Sequence, residues 1–236
     1  MSIANRIIET IEKNRISSVE VSDALGKKGV LNGIKVLNHG KFAVGKVKYI
    51  YGFNDSNWPI HEQSKDIEED TIIYVDMINC SGNMAAFGDI VTKYLVLYRR
   101  ARGIVVNGLL RDIHTLRKNN YPLWCTGVTP LGCYNKNVEA SKDVLEHAKQ
   151  RRAEIEGGIM ICDDSGCTLI NKELLTENTL KLLEFVELQE DIWNYCINTL
   201  KWSTYDTICL KKYLTNKEEL PKILYEKLSA IDLETT

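Results

Sequence analysis

The order of patterns along the chain predicts an α/β fold: a central, mainly parallel sheet with crossover helices, followed by a C-terminal helical extension. Three observations carry that expectation. TIIYVDMIN (71–79) and GIVV (103–106) are near-continuous apolar runs of strand length, as strands buried on both faces require. From Asp89, between them, apolar residues recur at helical spacing. After a second short helical stretch the segment YPLWCTGV returns as a strand, so strands and helices alternate as they do around a parallel sheet.

Taken in order, Ile3, Ile7, Ile8 and Ile11 mark one face of a helix over residues 2–14. Ser17 or Ser18 caps a second helix over VEVSDAL, which stops in the glycine-lysine cluster from Gly26 to Gly29. KFAVGKVKYIYG reads as a strand, and the polar stretch 53–70 as a long surface loop. The helix from Asp89 carries Ile90, Val91, Tyr94, Leu95, Tyr98 and Ala101 and ends at Gly103. GIVV then leads into an Asn107-Gly108 turn, and Asp112 opens the next helix. Residues 141–156 read as a helix, and GIMICDDSGCTLI as a hairpin turning at Asp163-Asp164-Ser165-Gly166. A long helix over 171–200 aligns Leu182, Phe185, Val186, Leu188, Ile192, Trp193, Cys196 and Ile197. The last 36 residues hold Trp202, Tyr205, Tyr213 and Tyr225, with Pro221 as a breaker. The organisation expected is an α/β domain over 1–172 and a helical extension over 173–236.

Composition narrows the function. Lys and Arg number 30 against 32 Asp and Glu, and no basic run exceeds two residues, so the basic stripe of a nucleic-acid binder is missing. No apolar run reaches the ~18 residues of a membrane span. The charged N-terminal segment lacks a signal-peptide core, which predicts a cytoplasmic protein. Seven cysteines occur without a CxxC, and His39, His61, His114 and His147 are scattered, so zinc-type spacing is absent. The cysteines read as reduced, mostly buried small hydrophobes.

Two short constellations can carry chemistry. At Gly88-Asp89-Ile90-Val91 the first amides of a helix lack intrahelical partners, and glycine lets a carboxylate or phosphate approach them. The plainer alternative is that Asp89 caps its own helix. Arg111-Asp112 leaves the carboxyl edge of a predicted parallel strand, where open α/β folds bind ligands. Arg111 can grip a carboxylate through two parallel hydrogen bonds, and Asp112 can hold a hydrated divalent cation. Here the alternative is a surface ion pair and a helix cap. His114 is a weaker candidate for a ligand or proton carrier. The Asp163–Gly166 stretch reads as a turn rather than a calcium loop, and Cys80 and Cys133 as packing residues near the site.

The pieces VSDALG (21–26), GNMAAFGDIV (82–91), RGIVVNGLLRD (102–112), YPLWCTGVTP (121–130) and MICDDSG (160–166) together resemble, in order, the RraA-like family. That family includes class II pyruvate aldolases such as 4-hydroxy-4-methyl-2-oxoglutarate aldolase, and the RraA regulators of ribonuclease E. The resemblance spans about residues 22–172 and implies a layered RraA-like α/β domain. It implies a lyase acting on a 2-oxo acid through a pyruvate enolate. Gly88, Asp89, Ile90 and Val91 would bind the substrate carboxylate, and Arg111 would steady the enolate. Asp112 would bind Mg²⁺ or Mn²⁺, and Asp89 would orient a water on that metal. It also implies a homo-oligomer, a trimer or hexamer, with sites between subunits. The rival it implies is a regulator that binds a ribonuclease or other protein without chemistry; regulators often lack the metal aspartate, and Asp112 favours the enzyme. A member remodelled for a specialised substrate is the third reading. The chain departs from the family pattern at Thr115, where a second acid is usual. It departs again in having 21 rather than 20 residues between Asp89 and Arg111, and in the charged run 141–156, where a strand is usual. The aromatic segment 202–236 is expected to pack across a neighbouring subunit or, equally, to pad its own domain.

Overall fold

A computed structural model describes residues 1–230 of the 236. Among them, one sheet contains β1 (Lys35–Val36), β2 (Ala43–Phe53), β3 (Thr71–Ile78), β4 (Ala85–Phe87), β5 (Gly103–Leu110), β6 (Leu123–Val128), β7 (Ile159–Asp163) and β8 (Gly166–Ile170). The order is β1-β6-β5-β3-β2-β7-β8, with β4 added along β5. The centre, β2, β3, β5 and β6, is parallel, whereas β1, β7 and β8 pair antiparallel. The apolar runs therefore fall on the strands buried from both sides.

The sheet curls into a nearly closed barrel. Val47, Tyr49, Ile72, Tyr74, Val105, Trp124, Met160 and Leu169 form one buried cluster, although they come from strands across the whole sheet. Trp124 on β6 donates its indole N–H to the carbonyl of Asp163 on β7 at 2.8 Å, and β1 touches β8. The convex side is covered in two places. Val91, Leu95, Leu116 and Tyr121 pack on Val75, Ile104 and Val106. On another part of the sheet, α1 (Ile3–Asn14), α2 (Ser18–Ala24) and the first half of α7 (Glu177–Asn198) bury Ile7, Ile11, Val21, Leu180 and Leu183 against Val44, Ile159 and Ile161. Ser17 caps α2 in a reciprocal capping box with Glu20.

Four local expectations change. Residues 53–70 are not a loop throughout: α3 (Trp58–Gln63) and a following 3₁₀ turn occupy much of the stretch. Pro59 stands in the first turn of α3, and Ile60 and Ile67 are fully buried. Each such side chain contributes about 1.5–3 kcal/mol of burial, which outweighs the polar composition around it. Asn107-Gly108 is not a turn but lies within β5, where the register with β6 shifts between Val106 and Leu109. That irregularity lets the strand run on to Leu110, which pairs with Phe87 and Val128.

The helix after Asp89 also differs. It is α4 (Asp89–Lys93) followed by a π-helical turn, Tyr94–Tyr98. A π turn accommodates one extra residue in a helix, and the one-residue excess between Asp89 and Arg111 falls on the segment that holds it. The proposed single apolar stripe splits: Val91, Leu95 and Ala101 are buried, whereas Ile90 and Tyr98 are 75% and 73% exposed.

Residues 141–156 form α6 (Lys142–Ile155), capped by Ser141. The predicted long helix begins later than expected, after a 3₁₀ turn at Lys172–Leu174. Its second half makes a separate core, in which Leu188, Ile192 and Cys196 pack on Tyr213, Leu220 and, from α8 (Lys222–Ala230), Leu224 and Leu228. Tyr213 is fully buried, and its hydroxyl accepts from Gln189 Nε2 at 2.8 Å. The segment thus packs on α7 of its own chain through residue 230; residues 231–236 of that expectation lie outside the described residues.

Candidate functional site

Strand pairing assembles the candidate site. Because β4 lies along β5, the end of β4 delivers Gly88 and Asp89 to the point where β5 delivers Arg111 and Asp112. The Arg111 amide donates to the Phe87 carbonyl at 3.1 Å, locking the two strand ends together. Asp112 takes a left-handed conformation, φ 60°, and stands at the N-cap position of α5 (Ile113–Lys118). Its side chain does not cap that helix; instead Oδ2 accepts the Asp89 amide at 3.1 Å. The helix-cap reading of Asp112 is thereby corrected: the left-handed turn aims the carboxylate at the start of α4.

Glycines make this approach possible. A Cβ on Gly88 would collide with the Asp112 carboxylate, and one on Gly132 would collide with the Arg111 guanidinium. Arg111 Nε lies 3.9 Å from Asp112 Oδ2, and both side chains are about half exposed. Asp89 is the first residue of α4, with Gly88 at the N-cap position, so Asp89 is not the cap residue expected. Its Oδ1 accepts from Asn119 Nδ2 at 3.4 Å, and Lys93 Nζ stands 3.7 Å from Oδ2. Neither Asn119 nor Lys93 was found from sequence. Lys93 carried a usable signal, four residues after Asp89 on one helix, whereas Asn119 reaches Asp89 only through the packing of α5 on α4.

Ile90 is exposed and Val91 buried, and the first amides of α4 have no intrahelical partner. His114 is exposed on α5 and Thr115 half-buried. Cys133 lies close enough to feel Arg111, yet burial, with Cys80 and Asp55 adding to it, pushes its thiol up to about 12. Burial also raises Cys80, whose sulfur accepts the Asp55 amide at 3.3 Å. Both thiols stay neutral near pH 7, as packing residues do. Asp163 takes hydrogen bonds from the amide and hydroxyl of Ser18 at 2.6 and 2.7 Å, so its turn serves to anchor α2.

Among the described residues no three His, Cys, Asp or Glu side chains gather as a metal-binding cluster. A hydrated hard cation needs less: one or two carboxylates with water in the other positions. Asp112, with one oxygen engaged and the other meeting no donor among the described residues, fits that description. A guanidinium, a carboxylate and free amides at one strand edge can hold an anionic ligand beside such a cation.

A second polar constellation escaped the sequence reading. Asp76 on β3 is only 3% exposed and accepts from Asn107 Nδ2 at 2.7 Å, Arg151 Nε at 3.1 Å and the Tyr49 hydroxyl at 3.3 Å. Arg151, from α6, also donates to the Tyr74 hydroxyl at 3.2 Å and to Glu154 at 2.6 Å. Burial and the Asp76 charge push the Tyr74 phenol up to about 12 and Tyr49 higher still. The available signal was a carboxylate inside the apolar run TIIYVDMIN, where only a paired charge is tolerated.

Comparison with known proteins bears on the whole arrangement. The chain is 27% identical over 187 residues to the protein DlpA of Legionella pneumophila, covering 75% of this chain and 29% of DlpA. Over 110 residues it is 33% identical to a Bacillus cereus protein whose name carries a provisional assignment as a 4-hydroxy-4-methyl-2-oxoglutarate aldolase, covering 47% of this chain and 62% of that one. The chain thus spans less than two-thirds of the length of either relative. A solved structure of an uncharacterised Pseudomonas syringae protein superposes with a TM-score of 0.66 at 25% identity, covering 89% of this chain and 96% of that one. The Streptomyces coelicolor protein RraAS2, described as an unusual member of the RNase ES inhibitor RraA family, shares the fold with a TM-score of 0.58 at 19% identity, covering 79% and 94%. The sequence pattern of the RraA-like family, described as Aldolase/RraA, matches residues 18–169, which hold both strand ends that build the site, and the chain belongs to that family.

Proposed function

We propose that the protein is a divalent-metal-dependent lyase that cleaves or decarboxylates a 2-oxo acid through a pyruvate enolate. The observation that carries this reading is the meeting of Arg111, Asp112 and Gly88 at one strand edge, with the Asp112 carboxylate turned away from its own helix. A bound Mg²⁺ or Mn²⁺ would supply Lewis acidity to the 2-oxo group. Asp112 is the residue that would hold the ion. Arg111 grips the substrate carboxylate and opposes the negative charge that develops as the carbon–carbon bond breaks. The amides of Ile90 and Val91 receive the carboxylate's remaining oxygen. Asp89, braced by Asn119 and Lys93, positions a water for proton transfer to the enolate carbon. A homo-oligomeric assembly, a trimer or hexamer, belongs to the same proposal. So does a cytoplasmic setting, in keeping with the finding that no helix among the described residues is long and apolar enough to cross a membrane.

The test is pyruvate release from oxaloacetate and from 4-hydroxy-4-methyl-2-oxoglutarate, with Mg²⁺ or Mn²⁺ and again with a chelator. Metal-dependent release that disappears in Asp112→Ala, with folding intact, is the expected result. Release that persists in that variant removes Asp112 from the reaction. No release from either acid turns the reading to a protein-binding regulator.

A further inference from the structure

A cleft of about 620 Å³ lies between α6 and the carboxyl ends of β3 and β5, and none of its lining residues belongs to the Arg111-Asp112 site. Its volume is that of a small-molecule pocket, about 300–1,000 Å³. Asp143, His147 and Arg151 line it from α6 at intervals of four residues, so they form one face of that helix. Asn107 lines it from β5, and Met77, Ile78 and Val144 supply its apolar part.

We propose that this cleft binds a small, neutral polyhydroxylated molecule, a monosaccharide or a cyclitol. The argument starts from what is already satisfied. Asp76 has three donors, and Arg151 spends three of its five N–H groups on Asp76, Tyr74 and Glu154. The groups left over are two N–H of Arg151, the Asn107 amide oxygen, and the side chains of His147 and Asp143, for which no protein hydrogen bond is formed among the described residues. These are planar polar groups offering donors and acceptors together, which suits adjacent hydroxyls.

Charge excludes the other small ligands. Asp76 and Asp143 in the lining outnumber Arg151, whose guanidinium also donates to Glu154, so a carboxylate or phosphate meets a net acidic lining. A cation meets the Arg151 guanidinium at the inner end, beside a carboxylate already engaged by three donors. The described residues hold no metal cluster. A neutral ligand rich in hydroxyls satisfies the mixed set without opposing either charge, and Met77, Ile78 and Val144 accept its C–H surface.

The experiment is an amide chemical-shift titration of the full chain with D-glucose, D-ribose and myo-inositol, using pyruvate and putrescine as anionic and cationic controls. The expected result is saturable shifts at residues 76–79, 107 and 143–151 with at least one neutral probe. His147→Ala and Asp143→Ala, both at exposed positions of α6 and so compatible with folding, should each weaken that binding about tenfold, the value of one hydrogen bond. The proposal is overturned if no neutral probe saturates these amides, if pyruvate or putrescine does so instead, or if both variants bind as the parent does.

Discussion

Two of the Arg–Asp pairs in the molecule use the same chemistry to opposite ends. Arg111 and Asp112 stand 3.9 Å apart with side chains 46% and 47% exposed. Arg151 and Asp76 stand 3.1 Å apart with side chains 28% and 5% exposed. In the buried pair every Asp76 interaction is spent on protein, because an unpaired charge there would carry a large desolvation cost. The exposed pair keeps groups unspent, since water satisfies them until a ligand arrives. An aspartate that is fully engaged holds structure, and one that is half engaged is free to hold something else.

Several changes would break or sharpen that contrast. The largest effect is expected for Asp76→Ala, which strands Arg151 and the Tyr49 hydroxyl without their acceptor. A loss of about 3 kcal/mol in urea unfolding is expected, as for a broken buried pair. A loss below ~0.5 kcal/mol would place Asp76 with Asp112, among the half-engaged groups.

Gly88→Ala comes next. Its Cβ would meet the Asp112 carboxylate and the Arg111 Cγ, and relief requires those two side chains to move, at a cost of about 1–3 kcal/mol. Pyruvate release should fall more steeply than stability, because the displaced Asp112 carboxylate leaves the Asp89 amide at the start of α4. A variant with full turnover would show that this close approach is dispensable.

Arg111→Lys tests the exposed pair directly. Stability should stay within about 0.5 kcal/mol of the parent, while kcat/KM for a 2-oxo acid drops about 10–100-fold because a point charge lacks the planar grip. Equal kinetics would remove Arg111 from substrate binding.

The smallest effect concerns Tyr74. Its phenol is raised from 10.0 to about 12 in the folded protein, chiefly by burial and next by Asp76. Below pH 10 both folded and unfolded states keep the proton, so the full stability is present. Between pH 10 and 12 the unfolded state ionises first, and stability falls as pH rises. Tyr74→Phe should flatten that alkaline decline; an unchanged slope would assign the loss to other groups.

Much of the fold was legible because it is written in local periodicity. The apolar runs of β3 and β5, the serine cap before α2 and the Asp163–Gly166 hairpin all state their structure within a few residues. Residues 53–70 were misread because Ile60 and Ile67 are two apolar side chains in a polar stretch, and only the core they enter gives them weight. Asn107-Gly108 was misread because a local turn signal was overridden by pairing with β6 on one side and β4 on the other.

The sequence by itself determined the alternation of strand and helix, the family, and the residue types of the Gly88-Asp89 and Arg111-Asp112 motifs. Only the tertiary structure decided that Asp112 turns to the Asp89 amide, that Asn119 reaches Asp89, and that Asp76 and Arg151, 75 residues apart, share one buried network. The reason is the range of the interactions. Helix caps and apolar spacing act between neighbours in the chain, whereas a carboxylate's partners are set by which strand ends meet, and that is fixed only when the sheet closes.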